Sequence, residues 1–94
     1  MSEEGRKDDR GKLRVSLLPM NVLREIIEVF EHGAKKYGDD NWYKVKNPDV
    51  RYGDAAFRHV FLEEGPDPES GVDHLAHGIA SLMIKRARQL RGDG

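Results

Sequence analysis

Apolar residues recur along three stretches of this chain, and in each the repeat has the period of an α-helix. In the first, Leu23, Ile26, Ile27, Phe30, Ala34 and Tyr37 follow the i, i+3, i+4, i+7 spacing of a single helical face. Glu25, Glu28, His32, Lys35 and Lys36 fall on the other side, with Glu31 at the border of the stripe. Pro19 suits a first-turn position and Gly38 suits a stop, so this helix is expected from about Pro19 to Gly38. Tyr37 completes the stripe and is expected in the core. Gly33 sits inside the helix at a cost of roughly 1 kcal/mol against alanine, which points to a close backbone approach there.

The second stretch, about Asp54 to Glu64, turns Phe57, Val60 and Phe61 inward and leaves Arg58 and His59 on its flanks. Gly65-Pro66-Asp67-Pro68 breaks it. The third carries a broad stripe from Val72 through Leu75, Ala76, Ile79, Ala80, Leu82, Met83 and Ala87 to Leu90. Asp67 as N-cap with Pro68 at the first helical position would start it, and Ser70 offers a second cap. Lys and Arg crowd its last turn, as a helix C-terminus favours. Between helices, Gly38-Asp39-Asp40-Asn41 is turn chemistry, and Lys44 to Arg51, with Asn47-Pro48-Asp49, reads as a loop. Ahead of them, Leu13 to Leu18 alternates and halts at Pro19, as an extended strip or an edge strand would.

Residues 1–12 contain no apolar residue after Met1 and read as a disordered arm. The expected fold is therefore all-α: a small three-helix unit over residues 13–94 behind that arm. Composition adds one expectation. The chain has 94 residues, 37% hydrophobic and 35% charged, so its supply of core residues is thin and homo-oligomerisation is a natural way to complete the core. Cysteine is absent, which removes disulfides and thiolate metal sites. No apolar run is long enough to span a bilayer, so no membrane partner is expected and the compartment is read as cytoplasmic. A formal net charge of −1 argues against a grip on long nucleic acid, though a small anionic ligand needs only a few cations.

The candidate chemistry concentrates in Glu69 to His77, where Glu69, Asp73, His74 and His77 fall within nine residues. On a helix Asp73 and His77, four apart, share a side, and His74 stands near. Carboxylate and imidazole so spaced can bind a divalent ion or orient a histidine as acid or base; they can equally form an exposed ion pair worth a few tenths of a kcal/mol. Glu63, Glu64 and Asp67 add carboxylates across the break, of the kind Mg²⁺ takes in ones and twos together with phosphates. Lys35-Lys36-Tyr37 with Asn41-Trp42 offers cations, aromatic faces and an amide, a set able to meet phosphate and stack on a base. Arg58-His59 could supply a phosphate fork or a metal ligand. There is no HExxH, no Walker loop and no serine-hydrolase elbow.

Read in order, these pieces resemble the N-terminal domain of phage-borne dATP/dGTP diphosphohydrolases. The resemblance rests on Arg14 with Leu17-Leu18-Pro19, on Gly33 to Gly38 (GAKKYG) followed by Asn41-Trp42, and on Tyr52, Ala55 and Arg58-His59. Asp67, Glu69-Ser70-Gly71 and His74-Leu75-Ala76-His77 complete it, from Leu13 to about Arg86. It implies a nucleotide-handling helical domain, acting in the cytoplasm of a bacterial host on purine deoxynucleotides. By similarity to all-α nucleotide pyrophosphatases, Glu28 or Glu31, Glu63, Glu69 and Asp73 would hold Mg²⁺ or Mn²⁺. Lys35, Lys36 and Arg58 would meet phosphate, with Tyr37, Asn41, Trp42, His59 and His74 completing the nucleotide site. Glu69, Asp73 and His77 would carry the hydrolysis to monophosphate and pyrophosphate. The helical pyrophosphatases carry ExxE and ExxD pairs, whereas Glu69 and Asp73 are four apart. A non-catalytic oligomeric binder, sequestering a signalling nucleotide of host defence, would use the same residues.

Overall fold

The first helix stops where its stripe meets Gly38. In the computed structural model, which describes residues 5–93, α1 runs Met20–Tyr37, preceded by Pro19 in extended conformation. Gly38 takes φ +94°, a region a side chain resists, and its N–H closes the helix on the Ala34 carbonyl at 2.8 Å. Helix α2 runs Pro48–Phe57 and α3 runs His74–Arg91. Among the described residues there is no β-strand; an isolated bridge joins Pro66 to Asp73.

Two helix boundaries differ from expectation, each for a local reason. The segment read as a loop around Pro48 is the start of α2: Pro48 occupies the first helical position, where its missing N–H costs nothing, and Asn47 turns the chain with φ +55°. Past Phe57 the helix widens into a π-helical turn, Arg58–Leu62, and the chain is extended by Glu63. Helix α3 begins later than Asp67 or Ser70 would have it. Asp67 does act as a cap, its Oδ1 accepting the N–H groups of Glu69 and Ser70 at 2.9 and 2.8 Å. One turn later Gly71, at φ +77°, ends the coil. Asp73 caps again, accepting from Leu75 N–H at 2.8 Å, and the long helix follows.

The N-terminal segment forms no edge strand. Leu13 to Leu18 holds a single 3₁₀ turn, Val15–Leu17, and its apolar side chains stand in solvent. Of the expected arm, residues 1–4 lie outside the described part, and residues 5–12 form no helix.

Helix α3 packs chiefly on α2 and more lightly on α1. The core is small: Ile26 from α1, Ala56 from α2, Val72 from the loop, and Ala76 and Ala80 from α3. Alanines at the contact let α2 and α3 approach closely. Gly78 takes this furthest, since a Cβ built there would stand 2.6 Å from Val60 Cγ2. Gly33, by contrast, has nothing within 4 Å of its would-be Cβ, so its place in α1 reflects no close backbone approach. Burying Ala56 turns its neighbour Phe57 outward, and Phe61 also stands on the surface, against the inward placement expected of them, while Val60 keeps a methyl against Gly78 of α3. Tyr37 too is 62% exposed rather than core. Leu75, Leu82, Met83 and Leu90 leave much of the α3 stripe uncovered.

At the far end of α3, Arg88 is buried. Its Nη1 donates to the carbonyls of Trp42 and Val45, each at 2.8 Å, and its Nε donates to Asp93 at 2.7 Å. This ties the short 3₁₀ segment Asn41–Lys44 to the helix and sets the position of Trp42. Trp42 stacks on Tyr43 at 3.7 Å and meets Phe30 of α1 edge-on at 6.1 Å. No helix among the described residues is long and apolar enough to cross a membrane.

Candidate functional site

Two adjoining features gather the chain's chemistry. One is a cleft of about 950 Å³ between α1 and the α2–α3 pair, closed at one end by Asn41-Trp42 and at the other by the loop before α3. That volume is at the upper end of the roughly 300–1,000 Å³ range of small-ligand sites. The other is a cluster of imidazoles where the π-helical turn meets the start of α3.

The loop that joins them is fastened at both ends. His74 N–H donates to the Gly65 carbonyl at 2.9 Å, Asp67 N–H to Val72 at 2.8 Å, and Gly71 N–H to Asp67 at 2.7 Å. Backbone N–H donors, that of Ser70 foremost, hold the Asp67 carboxyl below its ordinary value. Ser70 Oγ accepts from Val72 N–H, which leaves the hydroxyl proton free to point at His77 Nε2, 2.6 Å away. His77 lines the cleft through this fixed partner.

Behind His77 lies the imidazole cluster. The His59 ring stacks on those of His74 and His77, with centroids 5.0 Å apart in each case. His59 Nδ1 and His74 Nδ1 are 2.8 Å apart, and Glu63 Oε2 is 3.2 Å from His74 Nε2. A carboxylate beside Nε2 favours the proton there, which leaves His74 Nδ1 to accept from His59. Burial holds both His59 and His77 below the usual imidazole value, so they are neutral near pH 7.

On the α1 wall, Lys36 Nζ donates to Glu69 Oε1 at 2.7 Å, and His32 Nε2 lies 3.7 Å from the same oxygen. The hydrogen bond raises the Lys36 pKa and lowers that of Glu69. Both side chains are about half exposed, so the pair contributes little to stability and is open to exchange for another anion.

Of the residues singled out from sequence, Glu31, Lys36, Tyr37, Asn41, Trp42, Arg58, Glu69 and His77 line the cleft. Lys35 does not, although it precedes Lys36. His59, His74 and Glu63 stand together in the adjoining cluster, and Asp73 is the α3 cap. Asp67, one of the carboxylates noted across the helix break, also lines the cleft, as do His32, Arg51 and Tyr52, and Ser70 anchors His77; His32, Arg51, Tyr52 and Ser70 had been given no role in the site. A signal for His32 existed in its spacing, four before Lys36 on one side of α1. The signal for Ser70 was spent on capping.

The four carboxylates assigned to Mg²⁺ do not form one resident site. Glu31 and Glu69 face the cleft, Glu63 stands beside His74, and Asp73 is spent on its cap. Among the described residues, the group of three acidic or histidine side chains with ligand atoms in mutual reach is His59, Glu63 and His74. It offers a single carboxylate, and resident Mg²⁺ asks for a shell of oxygens.

Comparison with known proteins matches the dATP/dGTP diphosphohydrolase, N-terminal, family to residues 2–94. A dATP/dGTP diphosphohydrolase of Salmonella phage PMBT28 is 39% identical over 83 residues. The match covers 85% of this chain but 28% of that relative, so the chain spans well under half of the relative's length. No solved structure matches the chain.

Proposed function

Since the chain belongs to the dATP/dGTP diphosphohydrolase N-terminal family, we propose that its cleft binds a purine deoxynucleoside triphosphate. The observation that carries this reading is the cleft itself, in which three cations, Lys36, Arg51 and Arg58, share a cavity of nucleotide size with Trp42, Tyr37 and Tyr52. The cations would meet the phosphates, Lys36 by exchanging Glu69 for a phosphate oxygen, and the aromatic rings would take the base. The amide of Asn41 can read a base edge. Burial pushes the Tyr52 hydroxyl up, so it stays a neutral donor.

In turnover, water attack on the triphosphate would release monophosphate and pyrophosphate. Glu69 and His77 are the groups we assign to the proton, with Ser70 orienting His77; Asp73 would serve by holding the start of α3. Of the carboxylates that line the cleft, Glu31 and Glu69 suit a Mg²⁺ or Mn²⁺ that arrives on the phosphates rather than a resident one.

A second reading, binding without turnover, is favoured by one specific observation. Glu69 is engaged by Lys36, and among the described residues no three acidic or histidine side chains bring ligand atoms together in the cleft, so the chain alone could hold a nucleotide, such as a host signalling nucleotide, intact. Incubating the purified chain with dATP or dGTP and Mg²⁺ or Mn²⁺ separates the two. Monophosphate that appears with wild type and vanishes with Glu69→Gln establishes turnover. Nucleotide bound and then recovered intact from the denatured protein establishes the binder, and no bound nucleotide of either kind overturns both.

We also propose that the domain works as a homo-oligomer. The apolar side chains that α1, α2 and α3 leave exposed, among them Ile27, Phe57, Leu75, Leu82 and Leu90, are what a second copy would cover. Light scattering that gives a single-chain mass at micromolar concentration would overturn this.

A further inference from the structure

The cluster of His59, Glu63 and His74 lies outside the residues that line the cleft, and the nucleotide reading proposed above gives it no role. We infer that these three side chains form a binding site for one first-row divalent transition ion of the Zn²⁺ class, separate from any Mg²⁺ carried by a nucleotide.

The donor set is the first argument. Each residue offers one ligand atom, and those atoms all lie within 4.8 Å of one another. Two imidazoles and one carboxylate suit Zn²⁺, Co²⁺ or Ni²⁺ and do not suit Mg²⁺. With metal–ligand bonds of about 2.1 Å, the ligands of a tetrahedral ion stand roughly 3.4 Å apart. The His59–His74 separation of 2.8 Å therefore has to open by only a few tenths of an ångström. The ion takes the place of the proton that His59 Nδ1 now donates to His74 Nδ1.

The backbone supplies the second argument. His59 lies in the π-helical turn Arg58–Leu62, a rare insertion that disrupts the regular helical spacing, and such turns recur at functional sites. Glu63 follows directly in extended chain, and His74 is the first residue of α3. The hydrogen bond from His74 N–H to the Gly65 carbonyl draws the two ends of the intervening loop together. Gly78 lets the π turn lie against α3, because any side chain there would strike Val60. The two imidazoles are thus held before an ion arrives, and Glu63, now beside His74 Nε2, has to swing toward the Nδ1 pair to complete the set.

Access is the third. His74 is buried, which fixes one ligand and keeps water from its ring, while the Glu63 side chain is 42% exposed and leaves an entry path. Three protein ligands leave a fourth position for water, the arrangement of open rather than closed zinc sites.

The test uses the full chain without an affinity tag, freed of metal by chelation and titrated with Co²⁺ alone. The site predicts visible absorption bands of four-coordinate Co²⁺ that saturate at one ion per chain. It also predicts their displacement by Zn²⁺, with no displacement by millimolar Mg²⁺. Glu63→Gln and His59→Asn should each weaken binding tenfold or more, and Glu64→Gln should leave it unchanged. His74→Asn should abolish binding, and helical circular dichroism checks its fold; if it does not fold, the Glu63 and His59 variants decide. Absence of saturable bands, competition by Mg²⁺ at equal concentration, or wild-type binding by both Glu63→Gln and His59→Asn would overturn the inference.

Discussion

The two ends of α3 each bury a basic side chain, and they spend it differently. At the C-terminal end, the Arg88 guanidinium meets two carbonyls and a carboxylate, all acceptors, so each bond has a fixed direction. At the N-terminal end, His74 meets another imidazole and a carboxylate, and each ring nitrogen is a donor or an acceptor according to its tautomer. A network of fixed donors and acceptors stabilises a fold and has nothing left to offer. A network of interchangeable imidazoles retains lone pairs, and it stands beside the cleft. The first is structure; the second is capacity for chemistry.

Breaking the fixed end should have the largest effect on stability. Arg88→Ala leaves the Trp42 and Val45 carbonyls without their donor and frees the 3₁₀ segment that carries Trp42. We expect a loss of about 2–4 kcal/mol in denaturant unfolding, with a blue or red shift in tryptophan fluorescence before global unfolding. The middle of α3 comes next. Gly78→Leu should cost about 1–3 kcal/mol by overpacking against Val60, and Val60→Ala in the same chain should recover part of it. Ser70→Ala, which removes the His77 partner at the other end, should cost only about 1 kcal/mol while altering His77. The imidazole proton resonances of His77, followed by NMR, check that selectivity.

The fixed end also has a pH signature. The hydrogen bond from Arg88 holds the Asp93 carboxyl below its ordinary value. A depressed carboxyl pKa contributes stability that is fully present above the unfolded value of about 3.9 and is lost as pH falls through the folded value. Asp93→Asn should therefore lower the thermal midpoint at pH 7 and have progressively less effect below pH 4.

These contrasts explain what the sequence disclosed. Helix α1 was legible at both ends because Pro19 and Gly38 act through local geometry. His74 and His77 were legible as a group because helical spacing alone brings them near. His59 could be named, but its contact with His74 depends on a π turn that has no local signature. Pro48 was read as a breaker when it was a helix start, since the same ring serves both. Arg88 had passed as one more cation of a basic tail. Its burial depends on carbonyls more than forty residues away, which no periodicity reports. The uncovered apolar stripe of α3 marks a similar limit, because a stripe shows that a face is to be covered without showing by what.

Calorimetric titration of the purified chain with dGTP, for wild type and Arg58→Ala in parallel, tests the nucleotide cleft most directly. Saturable binding to wild type, weakened about tenfold or more by Arg58→Ala at unchanged helical content, is the predicted result. Binding that is absent from wild type, or identical in the two proteins, would contradict it.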